Sequence, residues 1–304
     1  MAHLNSATQH LDGYTVIVTG GANGIGAAIV RHYASLGANV VIADLPSAEG
    51  AARALMTDFP DVKRLLFIPV NITIWEQVNH LFRTSKSYFG RVDIVVANAG
   101  IMETKRFFDF AVDEAGDLME DRGLARVIDV NLKGTMNTLR LAAFYMKSNP
   151  ASLAGSTGSI VLISSTSGFF GGTAVVSYIA SKHGVIGLLR SSQTAAQQFN
   201  IRINAVAPFI TPTFITEGYS ERYKERGLPL NTPEGVADVI VNASLEAGST
   251  GKCYLVAGGV TKEIEQSRNQ AIASYMGADV KSALDKAKEF FDEIGGYPLP
   301  KPRV

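Results

Sequence analysis

With 304 residues, 46% of them hydrophobic and 18% charged, the chain can bury a large core, and global disorder is excluded. Its 28 Lys and Arg balance 28 Asp and Glu, so no net field gathers nucleic acid or an anionic membrane, and neither is expected as a partner. A single cysteine, Cys253, excludes an intramolecular disulfide and a paired-cysteine metal or redox site; a reducing compartment fits, and no metal is expected.

Along the chain, the first fifteen residues carry His3 and His10 but neither the basic nor the apolar region of a secretory signal. No apolar run approaches the ~18 residues that a bilayer span needs, so a soluble, cytoplasmic protein is expected. Seven β-branched runs then read as strands, at residues 14–19, 39–43, 65–70, 92–97, 158–164, 201–206 and 253–256. Each is nearly continuous in apolar residues, as expected for strands covered by helices on both faces. Between them lie helical segments, clearest at 25–36, 75–89 and 178–199. The alternation predicts a single-domain α/β fold, a Rossmann-type doubly wound parallel sheet of about seven strands with helices on both faces. Residues 101–129 are an acidic excursion, and 260–304 read as a helical extension of the 1–259 domain, stopped by Gly295-Gly296 and three prolines. An amphipathic pattern at Ile264, Ala271, Ile272 and Tyr275 suggests that this tail packs on the body or on a neighbouring subunit.

The first strand runs into Thr19-Gly20-Gly21-Ala22-Asn23-Gly24-Ile25-Gly26 and then an alanine-rich helix. Glycines in such a turn let the backbone approach a pyrophosphate, and the helix N-terminus offers unpaired N–H groups to the anion. The spacing G-x-x-x-G-x-G departs from the commoner G-x-G-x-x-G, but Asp44 closes the second strand 18 residues after Gly26. That is near the ~20-residue offset at which a carboxylate meets the adenosine ribose diol. A carboxylate there repels a 2′-phosphate, and no Arg or Lys flanks it, so NAD is expected rather than NADP.

Tyr178 and Lys182 are four residues apart and share a helix face, where an ammonium would lower the phenol toward working pH. Ser165, thirteen residues earlier at the end of a strand, can bring a hydroxyl to the same mouth of the sheet, and that offset favours it over its neighbour Ser164.

Together these motifs resemble the short-chain dehydrogenase/reductase family: Thr19-Gly20 with Gly24 and Gly26, Asn98-Ala99-Gly100, Asn131 in Val130-Asn131-Leu132, Ser165, and Tyr178-Ile179-Ala180-Ser181-Lys182, in that order. The likeness covers residues 11–259. It implies Tyr178 as general acid/base and Lys182 as its modulator and a nicotinamide-ribose ligand. Ser165 would bond the substrate oxygen, and Asn131 would hold a water in a proton relay. It also implies a cofactor lying along Gly20, Asn23, Gly24, Ile25, Gly26, Asp44, Asn71, Ile72, Asn98, Ala99, Gly100, Pro208 and Ile210. Where the family usually has Pro-Gly, this chain has Pro208-Phe209, so Thr213 is favoured over Thr211 as the carboxamide contact. Asn71 stands where the family often has an acid.

The function expected is an NAD-dependent oxidoreductase interconverting a small, apolar secondary alcohol and a ketone. The alternatives are an NADPH-dependent carbonyl reductase and a dinucleotide-binding scaffold without turnover. Met102, Phe107, Phe108, Phe169, Phe170, Phe209, Phe214 and Tyr219 are candidate pocket walls. A homodimer or homotetramer is expected, with Leu132, Met136, Leu139, Ala143 and Met146 as one apolar stripe.

Overall fold

The computed structural model describes residues 10–152 and 154–301. Eight strands form one mostly parallel sheet in the order β3-β2-β1-β4-β5-β6-β7-β8. They are β1 (Thr15–Thr19), β2 (Asn39–Asp44), β3 (Leu65–Pro69), β4 (Ile94–Ala97), β5 (Gly158–Ile163), β6 (Ile201–Pro208), β7 (Cys253–Ala257) and β8 (Val260–Glu263). The helices that alternate with them are α1 (Gly24–Ser35), α2 (Glu49–Met56), α3 (Trp75–Phe89), α4 (Arg122–Ile128), α5 (Thr135–Met146), α6 (Val176–Ser191), α7 (Gln193–Gln198), α8 (Ser220–Glu225) and α9 (Pro233–Leu245). The seven expected strands all form, each within two residues of its expected ends.

Their continuous apolar runs follow from burial on two sides. Val16, Val18, Val40, Ile42, Ile94 and Val96 share one core with Ile29 and Tyr33 of α1 and Ile240 and Val241 of α9. Alternate residues Ile17, Val41, Val95 and Ile160 are equally buried and turn to the other face, on which α3, α5 and α6 pack. Each such side chain contributes roughly 1.5–3 kcal/mol. Tyr33, fully buried, donates to Ser244 Oγ at 2.7 Å and so ties α1 to α9; burial pushes its phenol upward.

Four features differ from expectation. The eighth strand arises because Gly258 and Gly259 both take positive φ, +57° and +84°, the turn that folds a two-residue hairpin back on β7. The 178–199 helix begins at Val176 and is broken at Ser192. There, Ser192 Oγ and Gln193 Nε2 both donate to the Leu189 carbonyl, competing with the backbone ladder. A π-helical segment, Asp129–Gly134, precedes α5. In α5 itself Thr135, Thr138, Leu141, Ala142 and Met146 face inward, whereas Met136 is 48% exposed, so the expected stripe is divided between an inward Met146 and an outward Met136. The two threonines turn in by bonding carbonyls four residues back, Asn131 O at 2.7 Å and Gly134 O at 2.9 Å.

The excursion between β4 and α4 holds only an isolated bridge, Val112 to Leu118, and ends where Asp121 caps α4 by accepting from Gly123 and Leu124 N–H. The chain divides into compact units Met1–Lys262 and Glu263–Val304. That division falls just past the 259/260 boundary expected, since β8 prolongs the sheet. The second unit is a helix pair, α10 (Glu265–Met276) and α11 (Ala278–Glu293), in which α11 buries no residue. Among the described residues no helix is long and apolar enough to cross a membrane. The strand order reverses between β1 and β4, and such a switch point opens a crevice at the carboxyl ends of the strands.

Candidate functional site

A cleft of about 1290 Å³ occupies that crevice, larger than the usual pocket for one drug-sized ligand. Its floor is the glycine turn. Gly20 N donates to Ala43 O at 2.7 Å, and Asn98 Nδ2 bridges the Thr19 and Gly20 carbonyls at 3.0 Å each. Asn98 and Ala99 N–H in turn bond Thr19 Oγ1, so the two strands flanking the switch point are laced together. A side chain at Gly26 would put its Cβ 1.9 Å from Gly20 O. Only glycine fits, and this close approach brings the uncapped first turn of α1 to the cleft.

Asp44, at the end of β2, accepts from Ala22 N–H at 3.0 Å and from Leu45 N–H at 2.8 Å, one bond to each carboxylate oxygen. Each oxygen keeps a lone pair for a further donor such as a ribose diol. Asn71 is held in its turn by Thr73, whose N–H and hydroxyl both donate to Asn71 Oδ1. Ile72 packs under Gly134, where a Cβ would lie 2.5 Å from Ile72 Cδ1.

Opposite this half stand Ser165, Tyr178 and Lys182. Lys182 is buried, with Nζ donating to Ile163 O at 2.9 Å and lying 5.6 Å from the centre of the Tyr178 ring. Burial holds its ammonium down at about 8. Burial pushes the Tyr178 phenol up to about 12, against a hydrogen bond with Ser165 that pulls it down; the charges of Tyr219 and Glu103 push the same way as burial. The direction is opposite to the lowering expected from Lys182, and burial is its largest cause. Ser165 rather than Ser164 meets the phenol, because Ser164 Oγ is turned inward to Lys182 O at 3.0 Å.

Of the residues assigned from the sequence to cofactor or catalysis, all but Asn131 line the cleft. Asn131 is fully buried beneath it. Its Oδ1 accepts from Ile101 N–H, and its Nδ2 donates to Ile101 O, both at 2.8 Å, and to Ser181 Oγ at 3.0 Å. Thr211 is buried, donating to Phe209 O and accepting from Asn231 Nδ2. Thr213 instead faces the turn, its Cγ2 3.0 Å from the place a Gly24 Cβ would take. Among the aromatic walls expected, Phe209, Phe214 and Tyr219 line the cleft with Met102. Phe107, Phe108, Phe169 and Phe170 do not: Phe108 and Phe170 are 69% and 64% exposed on loops, and Phe169 packs against Arg190. Arg126, Asp129 and Val130 line the cleft unanticipated, because nothing local to α4 marks which face meets the crevice. Glu103, one of the excursion's acids, is also unanticipated beside Tyr178. Among the described residues no cluster of His, Cys, Asp or Glu could hold a metal.

A family model described as short chain dehydrogenase matches residues 14–224. The short-chain dehydrogenase/reductase prx4 of Penicillium roqueforti is 35% identical over 237 residues, which cover 77% of this chain but only 66% of that protein's own length. The 3-hydroxyacyl-CoA dehydrogenase type-2 of Drosophila melanogaster is 36% identical over 198 residues, 64% of this chain and 75% of its own. Among solved structures, 3-hydroxyacyl-CoA dehydrogenase type-2 from Mycobacterium avium superposes with a TM-score of 0.71 at 29% identity, covering 83% of this chain and 96% of that one.

Proposed function

The chain belongs to the short-chain dehydrogenase family, and from that we propose that it is an NAD-dependent oxidoreductase interconverting a secondary alcohol and a ketone. The observation that carries this reading is the meeting of Ser165, Tyr178 and Lys182 across one cleft from a glycine turn that only glycine can make. The cleft fits a dinucleotide: Gly20, Asn23, Gly24, Ile25 and Gly26 would face its pyrophosphate, and Asp44 its adenosine ribose. Asn71, Ile72, Asn98, Ala99 and Gly100 would line its length, and Lys182, Pro208, Ile210 and Thr213 its nicotinamide end. Thr213 is preferred to Thr211 because the Thr211 hydroxyl is already engaged on both sides. When bound, the nicotinamide supplies the carbon that takes or gives hydride. Asp44 argues for NAD over NADP, since a second negative group there would be repelled.

The chain's own residues handle the proton. Ser165 orients the substrate oxygen toward the Tyr178 hydroxyl. With the phenol held up at about 12, the proton that a ketone oxygen needs on reduction is in place at neutral pH. In the oxidation direction Tyr178 takes the alcohol proton, and rising pH favours that step. Lys182, poised at about 8, can replenish or drain the proton, with Asn131 ordering the groups beneath. Ile101, Met102, Val175, Phe209, Phe214 and Ile215 make the walls largely apolar, so the substrate is a small alcohol or ketone with an apolar body. A 3-hydroxyacyl group, named for some relatives, is itself a secondary alcohol. The protein would work in the cytoplasm as a homodimer or homotetramer, for which Met136 and Phe144 of α5, 48% and 58% exposed, offer apolar surface.

The test is NADH formation with a panel of secondary alcohols, in the parent and in Tyr178→Phe. Turnover should fall by ~100-fold in the variant with cofactor affinity retained. Undiminished turnover would sink the mechanism.

A further inference from the structure

The segment leaving β4 grips Tyr178 from both sides of its backbone. Glu103 Oε1 accepts from Ser177 N–H at 3.1 Å and Oε2 from Tyr178 N–H at 3.0 Å. Val175, which precedes α6, has no side-chain cap bond, so a carboxylate from 74 and 75 residues upstream takes over two orphan donors of the first turn. A negative charge is favoured there by the helix dipole. Two residues earlier, Ile101 is held by Asn131, which also donates to Ser181 Oγ, and Ser181 Oγ donates to Tyr178 O at 2.7 Å. The Tyr178 N–H and C=O are thus both tied to residues 101–103, and Met102 between the two anchors lines the cleft.

We propose that Glu103 is a positioning residue of this site, clamping the first turn of α6 so that the Tyr178 hydroxyl is held against Ser165, and placing a fixed negative charge at the Tyr178 backbone N–H. The inference rests on Tyr178 being the acid/base group. The titratable groups facing that phenol are Glu103 from the β4 segment, Tyr219 from the loop after β6, and Lys182 from α6. Of these, Glu103 is the carboxylate, and its charge raises the proton affinity of the phenol. A merely structural cap would affect stability alone, whereas this one also adds to what keeps the phenol protonated.

Glu103→Gln keeps the shape and one acceptor but removes the charge, and Glu103→Asp keeps the charge. The pH profile of alcohol oxidation, kcat, cofactor affinity and the melting temperature are measured for both, with Tyr178→Phe alongside. Glu103→Gln should lower kcat by about tenfold through misorientation of the base, with cofactor affinity unchanged. Its profile should reach half-maximum at a lower pH than the parent, with Glu103→Asp nearer the parent. A normal kcat and profile in Glu103→Gln, with Tyr178→Phe inactive, overturns the inference alone. A lower kcat with an unmoved midpoint reduces Glu103 to a structural cap and also overturns it. Turnover retained by Tyr178→Phe instead overturns the acid/base reading beneath it.

Discussion

Replacing Gly26 by alanine puts a single methyl where the chain passes closest to itself. The new Cβ would stand 1.9 Å from Gly20 O, 2.8 Å from Gly20 C and 2.9 Å from Asn98 Nδ2, and real contacts of this kind are not found below 3.0 Å. The gap must therefore open by at least 1.1 Å. Gly20 cannot retreat, because its N–H is bonded to Ala43 O, its carbonyl to Asn98, and its other side lies on the Ala99 backbone. The start of α1 has to move instead. Overpacking of this kind costs ~1–3 kcal/mol, and a domain of this size then melts roughly 3–10 °C lower. The larger effect falls on the anion site, since an N–H displaced by about 1 Å leaves the ~2.9 Å range of a hydrogen bond. Losing one or two charge-assisted bonds should weaken dinucleotide binding by ~10–100-fold. Titration of NADH fluorescence and thermal melts with and without NAD measure both effects. Gly50→Ala in α2 is the control: nothing lies within 4 Å of its Cβ position, so stability should hold or rise by ~0.5–1 kcal/mol. Cofactor affinity in Gly26→Ala within about threefold of the parent would refute the argument that this contact shapes the cradle.

Asp44→Ala should shift the ratio of specificity constants from NAD toward NADP by removing both the diol acceptor and the repelling charge; a parent that already prefers NADP would refute this. Lys182→Met probes the buried ammonium. In the fold Lys182 is held down at about 8 from an ordinary 10.5, so the unfolded chain binds this proton more strongly, and the parent gains stability as pH rises across that window. The parent's handicap relative to the variant is full below pH 8 and should be relieved by pH 10.5, a change of order 3 kcal/mol. Melts of the two proteins across that range would show a constant difference if the reasoning fails. Light scattering should give at least a dimer, and a monomer at assay concentration would refute the proposed assembly.

The sheet was legible in the linear chain because its strands are buried on both faces, so burial writes itself as uninterrupted runs such as Val16-Ile17-Val18 and Val95-Val96. The glycine turn and the Tyr178–Lys182 pair were legible for a similar reason: turn stereochemistry and the four-residue helical repeat act over a few bonds. Asp44 needed only a strand end and a count of residues. What was illegible depends on which distant segments the topology brings together. Glu103 reads as one more surface acid until the crossing from β4 lays it on α6, 74 residues further on. Asn131 reads as a cleft residue until its side chain is found beneath, on Ile101. The offset from Tyr178 favoured Ser165 over its neighbour, but only the fold past the end of β5 shows why: it turns the Ser164 hydroxyl to Lys182 O and leaves Ser165 to the phenol. The Tyr178 phenol illustrates the difference most directly. Spacing brings Lys182 near it and suggests a lowered proton affinity, but burial raises it, a product of tertiary packing to which Tyr219 and Glu103 add. Local stereochemistry is encoded within a few residues of itself, whereas an electrostatic environment is a sum over everything the fold places nearby.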